Sequence, residues 1–297
     1  MNPALYTLPI TVALLFLWSL FITPLSINLS NRYRIVDRPG ERKIHTIITP
    51  RGAGIVIWLG FLLWGLYSVE AIPAFRPLAL GGTMVFLSGY WDDMRTLRPS
   101  IRLAFHVAAA VIFLVYVEIP IRHFPTGILW IAGMSNAFNL VDGANGLCLS
   151  MCIAASAALG LAGFPEVYFP LAGLAAGVLP WNFPKARTFI GDGGTTLLGY
   201  LYSSLFILSI MPFIESYSTI HLPLSLFLIG GIPAADTLFA IMRRLASGKS
   251  PFSPDRGHIH HRLIDAGWGA IWTVAFLNVV HLFLIAGGML VSGFFFV

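Results

Sequence analysis

Apolar runs separated by short polar segments divide almost the whole chain. Ten runs approach the length needed to cross a bilayer, roughly at 5–27, 52–72, 77–91, 103–119, 127–141, 146–164, 167–182, 194–213, 220–242 and 270–296. About 20 apolar residues in a helix span the hydrocarbon core, and a spanning helix satisfies its own backbone hydrogen bonds there. The pattern predicts an all-α, polytopic integral membrane protein of about ten transmembrane helices, with residues 1–297 in a single domain.

The composition excludes a soluble domain of ordinary size. Of the 297 residues, 57% are hydrophobic and 10% are charged, whereas a soluble domain carries about 25% charged residues. The first apolar run has no basic segment before it and is long enough to span, so we expect it to remain as a helix and not to be cleaved as a signal peptide.

Basic residues concentrate in alternate loops, numbered from the one that follows the first apolar run. The odd-numbered loops hold 16 of the 18 Lys and Arg residues, and only Arg76 and Arg122 lie in even-numbered loops. The positive-inside rule then predicts cytoplasmic odd loops and external, periplasmic termini. Most aspartates share the odd loops. A transporter would more often place ionisable groups along a path through the membrane, so clustering on one face favours an enzyme that acts there.

Two adjacent aspartates, Asp92 and Asp93, end the third apolar run. Burying a carboxylate near a bilayer is costly, and adjacent carboxylates repel each other, which a divalent cation or a shared proton can relieve. The alternative is an exposed turn that caps a helix. Magnesium is typically held by one or two carboxylates together with phosphate oxygens and water, which favours a functional pair if other acids converge on it.

Loops one and five carry further polar groups. In loop one, Lys43, His45 and Arg51 precede a second run that begins with small residues. They suit phosphate binding at a helix N-terminus or, alternatively, attraction to anionic lipid. In loop five, Asn136, Asn139 and Asp142 recur every three residues and share one face if helical, although a helix-ending turn would also explain the glycines that follow.

Loop seven reads Gly191-Asp192-Gly193-Gly194, which resembles an anion-cradling turn with one acid for a cation; Asp192 could instead be a plain N-cap. Loop nine places Arg256, His258, His260 and His261 close together. Zinc is disfavoured because no cysteine or well-spaced fourth ligand accompanies the histidines, and we expect them to donate hydrogen bonds to phosphate or sugar oxygens.

Three further polar residues lie inside apolar runs. Asp236 is in the ninth run, where an acid is by default functional or paired. His106 and His281 also lie in apolar runs, and we interpret both as structural residues whose hydrogen bonds are satisfied.

The order of these motifs resembles the polyprenyl-phosphate N-acetylhexosamine-1-phosphate transferases, the glycosyltransferase 4 or MraY–WecA superfamily. The resemblance runs from about Asp37 to Gly267 through Arg-Lys-x-His…Pro-Arg-Gly, Asp-Asp, Asn-x-x-Asn-Leu-Val-Asp-Gly, Gly-Asp-Gly-Gly and Asp-Arg-x-His-x-His-His. The last motif is more similar to the WecA-like branch than to the phospho-muramoyl-pentapeptide branch.

The resemblance implies a membrane enzyme that transfers a HexNAc 1-phosphate from a UDP-sugar to a polyprenyl phosphate such as undecaprenyl phosphate and releases UMP, with Mg²⁺, or Mn²⁺ as the alternative, as cofactor. The implied catalytic residues are Asp92, Asp93, Asp142 and Asp192, with Asp192 and Asp92 as metal ligands. The implied substrate-binding residues are Lys43, His45, Arg51, Asn136, Asn139, Asn145, Asp236, Arg256, His258, His260 and His261. The expected location is the bacterial inner membrane, with the site on the cytoplasmic face, no nucleic-acid partner, and a homodimer left open.

Two positions depart from the family pattern. Asn145 stands where the family commonly has a second aspartate, and Gly193 stands where it has a hydroxyl-bearing residue. The departures leave open a different sugar (GlcNAc, GalNAc, FucNAc or QuiNAc), weaker activity, or a scaffold that has lost catalysis. The rival from another class is a transporter or flippase of lipid-linked or nucleotide sugars.

Overall fold

Each predicted apolar run coincides with a long α-helix. The computed structural model describes residues 4–38, 47–251, 253, 255 and 257–293. Over these residues the helices are α1 (Ala4–Arg32), α2 (Ala53–Ser68), α3 (Phe75–Met94), α4 (Pro99–Tyr116), α5 (Phe124–Val141), α6 (Leu147–Leu161), α7 (Pro165–Asn182), α8 (Gly191–Ile210), α9 (His221–Ala246), α10 (Ile259–Asp265) and α11 (Ala270–Ser292). Strands β1 (Val36–Asp37) and β2 (Thr49–Pro50) form an antiparallel pair, and short 3₁₀ helices cover Ile121–His123 and Met211–Ser216.

The all-α membrane class is confirmed, whereas the count of about ten spans stays a prediction. In the described part of the chain, five helical segments are long and apolar enough to cross a membrane: Thr7–Arg32, Pro99–Tyr116, Gly191–Ser216, His221–Ala246 and Ala270–Ser292. Helices α2 and α6 are apolar but shorter, at 16 and 15 residues. The short helix α10 was not predicted, because seven residues of mixed polarity give no clear helical period.

Helix α8 lies at the centre of the bundle and is buried along almost its whole length. It packs against α3 and α5 through positions where only glycine leaves room. A Cβ atom on Gly89 would lie 2.6 Å from the carbonyl oxygen of Asp192, and one on Gly199 would lie 2.4 Å from the carbonyl oxygen of Met134. Small residues let membrane helices approach this closely, and here they bring the ends of α3, α5 and α8 together.

The odd-numbered loops meet at one end of the bundle. The backbone N–H of Phe189 in loop seven donates to the carbonyl of Pro50 in loop one at 2.8 Å. The N–H of Gly146 in loop five donates to the Asn182 side chain at 2.7 Å. Arg122 and Glu215, from two even-numbered loops, form an ion pair with each other. These contacts link odd-numbered loops to one another and two even-numbered loops to each other, while the sidedness that the charge pattern predicts stays a prediction.

Candidate active site

Two carboxylates from distant parts of the chain converge on one guanidinium group. Asp92 is at the end of α3 and Asp192 is in the first turn of α8, and Nη1 of Arg102 lies 2.8 Å from Oδ2 of Asp92 and 2.7 Å from Oδ2 of Asp192. The three side chains are 17% to 25% exposed. The arrangement is a partly open charge cluster, in which contact with a cation offsets the repulsion between the acids.

The Asp93 side chain contacts the N-terminus of α8, whereas the Asp92 side chain contacts Arg102. Its carboxylate accepts hydrogen bonds from the backbone N–H groups of Asp192 at 3.1 Å and Gly193 at 3.3 Å, and Arg51 contacts it at 3.1 Å. Asp93 therefore acts as a helix cap supplied by another helix. Burial, followed by the charge of Asp192, raises the pKa of Asp93 to about 7, against the lowering effect of Arg51.

The first residue of α8, Gly191, must be glycine. Gly191 has a φ of +66°, which disfavours a side chain, and a Cβ atom there would lie 2.4 Å from Oδ2 of Asp93. The Gly-Asp-Gly-Gly motif thus forms the contact of α8 with Asp93. In this arrangement the Asp192 side chain contacts Arg102.

Arg51 links loop one to this cluster. It contacts Asp37 at 3.3 Å in addition to Asp93. Burial acts to lower the pKa of Arg51, but the negative charges of Asp93 and Asp37 outweigh it, so the pKa is raised. Arg51 is therefore a permanent cation beside the acids. Lys43 and His45, also predicted in loop one, lie outside the described residues.

Helix α5 contributes an amide that orients Asp192. Nδ2 of Asn139 donates to Oδ2 of Asp192 at 3.0 Å, and Oγ1 of Thr195 donates to Oδ1 of Asn139 at 2.8 Å. Asp142 ends the same helix. Burial, then the charges of Asp192 and Asp93, raises the pKa of Asp142 well above its ordinary range, and Arg51 opposes the shift.

Asn136 lies one turn before Asn139 and contacts a different helix. Its Nδ2 donates to Nδ1 of His106 on α4 at 2.9 Å and to the carbonyl of Ala132 at 2.8 Å. The Asn136–His106 pair lies one helical turn further into the bundle than Asn139 on α5 and Arg102 on α4. His106 is completely buried, and this contact satisfies Nδ1. Its Nε2 atom is buried without a hydrogen-bond partner among the described residues, so the expectation that all of its hydrogen bonds are satisfied is wrong.

The histidine segment lies against the end of α5. Nδ1–H of His258 donates to Asp236 at 2.7 Å, and Asp236 also accepts the N–H of Ile259 at 3.0 Å. Asp236 therefore holds the start of α10. A Cβ atom on Gly143 would lie 1.9 Å from Nε2 of His260, so the His260 ring packs on the residue that follows Asp142.

His260 is neutral in this position. Burial, with the neighbouring charges of His261 and His258, lowers the pKa of His260 to about 3, although Asp236 acts against this. The His260 and His261 rings are 4.3 Å apart. Arg256, predicted in the same segment, lies outside the described residues.

The two acids leave room for a cation whose coordination shell the protein completes only in part. In the described residues, no group of three or more His, Cys, Asp or Glu side chains has the arrangement of a metal site. Asp92 and Asp192 nevertheless flank a single cationic nitrogen. Mg²⁺ commonly takes one or two carboxylates with phosphate oxygens and waters, so two carboxylates are a donor set that would fit a magnesium ion whose remaining ligands do not come from the protein.

Comparison with known proteins identifies the family. The sequence profile described as "Glycosyl transferase family 4" matches residues 75–210, which include Asp92, Asp93, Asp142 and Asp192. A Thermotoga maritima protein named undecaprenyl-phosphate alpha-N-acetylglucosaminyl 1-phosphate transferase is 32% identical over 252 residues, covering 82% of this chain and 77% of that protein. The chain belongs to glycosyl transferase family 4.

Two other relatives in this family cover similar shares of the chain. A Bacillus subtilis protein named probable undecaprenyl-phosphate N-acetylglucosaminyl 1-phosphate transferase is 29% identical over 274 residues, with 84% of this chain and 75% of its own length covered. The Escherichia coli K12 undecaprenyl-phosphate alpha-N-acetylglucosaminyl 1-phosphate transferase is 26% identical over 306 residues, which cover 93% of this chain and 82% of that protein.

Both departures from the family pattern have a local physical reason. Nδ2 of Asn145 donates to the carbonyl of Pro184 at 3.1 Å, and a carboxylate could not make that bond. A Cβ atom on Gly193 would lie 2.9 Å from the backbone nitrogen of Tyr90 and 3.0 Å from the carbonyl oxygen of Phe86, so a hydroxyl-bearing residue would force α3 and α8 apart. The hydroxyl of Thr195 lies beside Asn139 instead.

Sequence reasoning missed Arg102 and Thr195. Arg102 had been counted only among the basic residues that set topology, yet it follows Asp92 by ten residues and sits in the first turn of an apolar helix. That position at a helix start, on the same loop as the acids, was the available signal. Thr195 gave no comparable signal, because its role depends on the packing of α8 against α5.

Proposed function

We propose that this protein transfers N-acetylhexosamine 1-phosphate from a UDP-sugar to a polyprenyl phosphate, with undecaprenyl phosphate as the expected acceptor. An oxygen of the lipid phosphate attacks the β-phosphorus of the nucleotide sugar, and a new P–O–P linkage forms. The bond between that phosphorus and the bridging oxygen breaks, and UMP leaves with the oxygen. The products are UMP and polyprenyl-diphosphate HexNAc.

One observation carries the proposal. Asp92 and Asp192 come from helices almost 100 residues apart and meet at the same Arg102 nitrogen, at the end of the bundle where the basic loops gather. Phosphoryl transfer is catalysed mainly by positioning and charge stabilisation. In the proposal Arg51 and Arg102 attract the phosphates, and Asp92 activates the lipid phosphate.

The other predicted residues then orient these groups. Asp93 holds the N-terminus of α8 and thereby Asp192, and Asn139 fixes the Asp192 side chain from α5. Asp142 lies beside the nucleotide-diphosphate region, and the histidine segment held by Asp236 closes that side of the site. Asp92 and Asp192 would hold a magnesium ion, which when bound supplies positive charge that neutralises the diphosphate.

An apolar groove between α5 and α9 supports a lipid acceptor. It has a volume of about 250 Å³, with Leu129, Trp130 and Ala137 on one wall and Phe227 and Leu238 on the other. Ala137 is two residues before Asn139, so the groove runs along α5 toward the charged end of the bundle. We propose that a polyprenyl chain lies in this groove with its phosphate at Asp92.

The relatives described above are named for N-acetylglucosamine, which makes UDP-GlcNAc the first donor to test. The concentration of basic residues in the odd loops supports a site on the cytoplasmic side, and we propose a bacterial inner membrane as its location. The product would begin a surface polysaccharide of the O-antigen type.

The test uses purified protein with undecaprenyl phosphate and a panel of UDP-HexNAc donors, with and without magnesium. We expect release of UMP that requires both the lipid and the metal ion. Transport of a lipid-linked or nucleotide sugar into sealed vesicles, without release of any nucleotide, would contradict the proposal and favour the transporter.

A further inference from the structure

Helix α9 is broken near its middle. Gly231 has φ of +55° and ψ of −137°, outside the helical region, while the residues on either side continue as helix. Pro233 follows two residues later, and proline has no N–H to donate to the carbonyl four residues before it. The break divides α9 into a first segment, 221–230, and a second segment, 232–246.

Side chains from two other helices satisfy the backbone groups that the break releases. The carbonyl of Ile229, which Pro233 cannot bond, accepts a hydrogen bond from the hydroxyl of Tyr202 on α8 at 2.8 Å. The N–H of Ile232 donates to Nδ1 of His281 on α11 at 3.2 Å. Because Nδ1 accepts, the neutral ring carries its proton on Nε2.

Both side chains are completely buried. An unpaired backbone group in the hydrocarbon region is costly. Loss of either partner should therefore change the angle between the two segments of α9. Gly231 also makes room for the histidine, since a Cβ atom there would lie 2.0 Å from Nδ1 of His281. The ring therefore contacts the break itself and not only a neighbouring turn.

The two segments of α9 form different parts of the groove wall. Leu226 and Phe227 come from the first segment, and Ala234 and Leu238 come from the second. The shape of the groove thus depends on the angle at which the second segment leaves the break. Asp236, which holds the histidine segment, lies on that second segment as well.

We propose that His281 is a positioning residue that fixes the break in α9 and thereby sets the shape of the groove between α5 and α9. Tyr202 supports the same break from a different helix, through the carbonyl of Ile229. The inference rests on the proposed function in one respect, since it assigns the polyprenyl acceptor to that groove.

The kinetic test compares H281L with H281N. Leucine removes the acceptor for the Ile232 N–H, whereas the Oδ1 atom of asparagine can replace Nδ1. We expect H281L to raise the KM for undecaprenyl phosphate at least fivefold and to change the KM for UDP-GlcNAc less than twofold, because Arg51 and Asp192 lie on other elements. H281N should restore the lipid KM to within about twofold of the wild-type value, and H221L, at an exposed histidine of the same helix, should leave both constants unchanged.

A second measurement does not depend on activity. Spin labels at Leu245, exposed on the second segment, and Ile101, exposed on α4, report the position of that segment in a background where Cys148 and Cys152 are replaced by alanine. We expect the interlabel distance distribution to shift or broaden in H281L and in Y202F, and to match the wild type in H281N.

The two measurements separate the possible failures. A wild-type distance distribution in H281L, or equal changes in the KM of lipid and donor, would overturn the assignment of His281. If the wild-type protein releases no UMP, the proposed function fails, while the distance measurement still tests the role of His281 in fixing the break. If H281L does not insert, H281N and Y202F supply the comparison, and a wild-type distance distribution in Y202F then contradicts the proposal.

Discussion

Replacing Arg102 with methionine isolates the charge that links Asp92 and Asp192. Methionine keeps a long unbranched side chain and removes the guanidinium. Because Asp92 and Asp192 contact the same Arg102 nitrogen at 2.8 and 2.7 Å, their oxygens are at most about 5.5 Å apart. Without the cation, two unit charges at that distance repel each other by about 3 kcal/mol at an effective dielectric constant of about 20.

The expected loss of stability follows from that repulsion and from the lost contacts. A hydrogen bond to a charged group contributes about 1.5–3 kcal/mol, and the 17% exposure of the Arg102 side chain allows water to recover part of it. We therefore expect R102M to unfold with a free energy lower by about 2–4 kcal/mol. For a chain of 297 residues that corresponds to a melting temperature lower by about 3–6 °C.

The assay is thermal unfolding of detergent-purified protein at low salt, with and without magnesium. Added magnesium should raise the melting temperature of R102M more than that of the wild type, because a divalent cation can replace the missing charge between the carboxylates. R98M is the matched control, since Arg98 is an exposed arginine of the same loop. A melting temperature of R102M within about 1 °C of R98M, unaffected by magnesium, would refute the reasoning.

Three further predictions follow from the site and its packing. D192N should insert normally and lose at least about 100-fold in turnover. Its control, E166Q, replaces an exposed acid of α7 and should keep wild-type turnover. Near-normal turnover in D192N would contradict the role proposed for Asp192. N145D should lower the melting temperature by a few degrees, because a carboxylate would face the Pro184 carbonyl in place of an amide donor. An unchanged melting temperature at neutral pH would contradict the contribution of this hydrogen bond to stability. G193S should lower the free energy of unfolding by about 1–3 kcal/mol, because the added side chain overpacks the contact between α3 and α8. Its control, G287S, should leave the stability unchanged, since nothing lies within 4 Å of a Cβ atom there. Equal melting temperatures of the two variants would contradict the close contact at Gly193.

The helical framework was predictable because the bilayer leaves few alternatives for the backbone. Ten apolar runs became ten long helices, and the differences are at their ends, as for the first run, predicted over 5–27 and helical over Ala4–Arg32. Polar residues such as Arg32 extend a helix beyond the apolar core, and hydropathy alone gives no signal for that extension.

The meeting of the acids was predictable in outline but not in its partners. Asp92 and Asp192 were expected to converge because both lie in odd loops. Arg102 was missed because an arginine in a cytoplasmic loop is already explained by topology. The contact between His281 and the Ile232 N–H could not be predicted, since a hydrogen bond to the backbone of another helix leaves no periodic pattern. The Gly-Gly-x-Pro sequence at 230–233 was the available signal for the break itself.

The central claim is that a sugar moves together with its phosphate, and the fate of the β-phosphorus tests it most directly. The protein is incubated with undecaprenyl phosphate, magnesium and UDP-GlcNAc labelled with ³²P at the β-phosphorus, and the lipid and aqueous fractions are separated. The account predicts label in the lipid fraction and unlabelled UMP in the aqueous fraction, both abolished in D192N. Label recovered in UDP, with an unlabelled lipid-linked sugar, would contradict it.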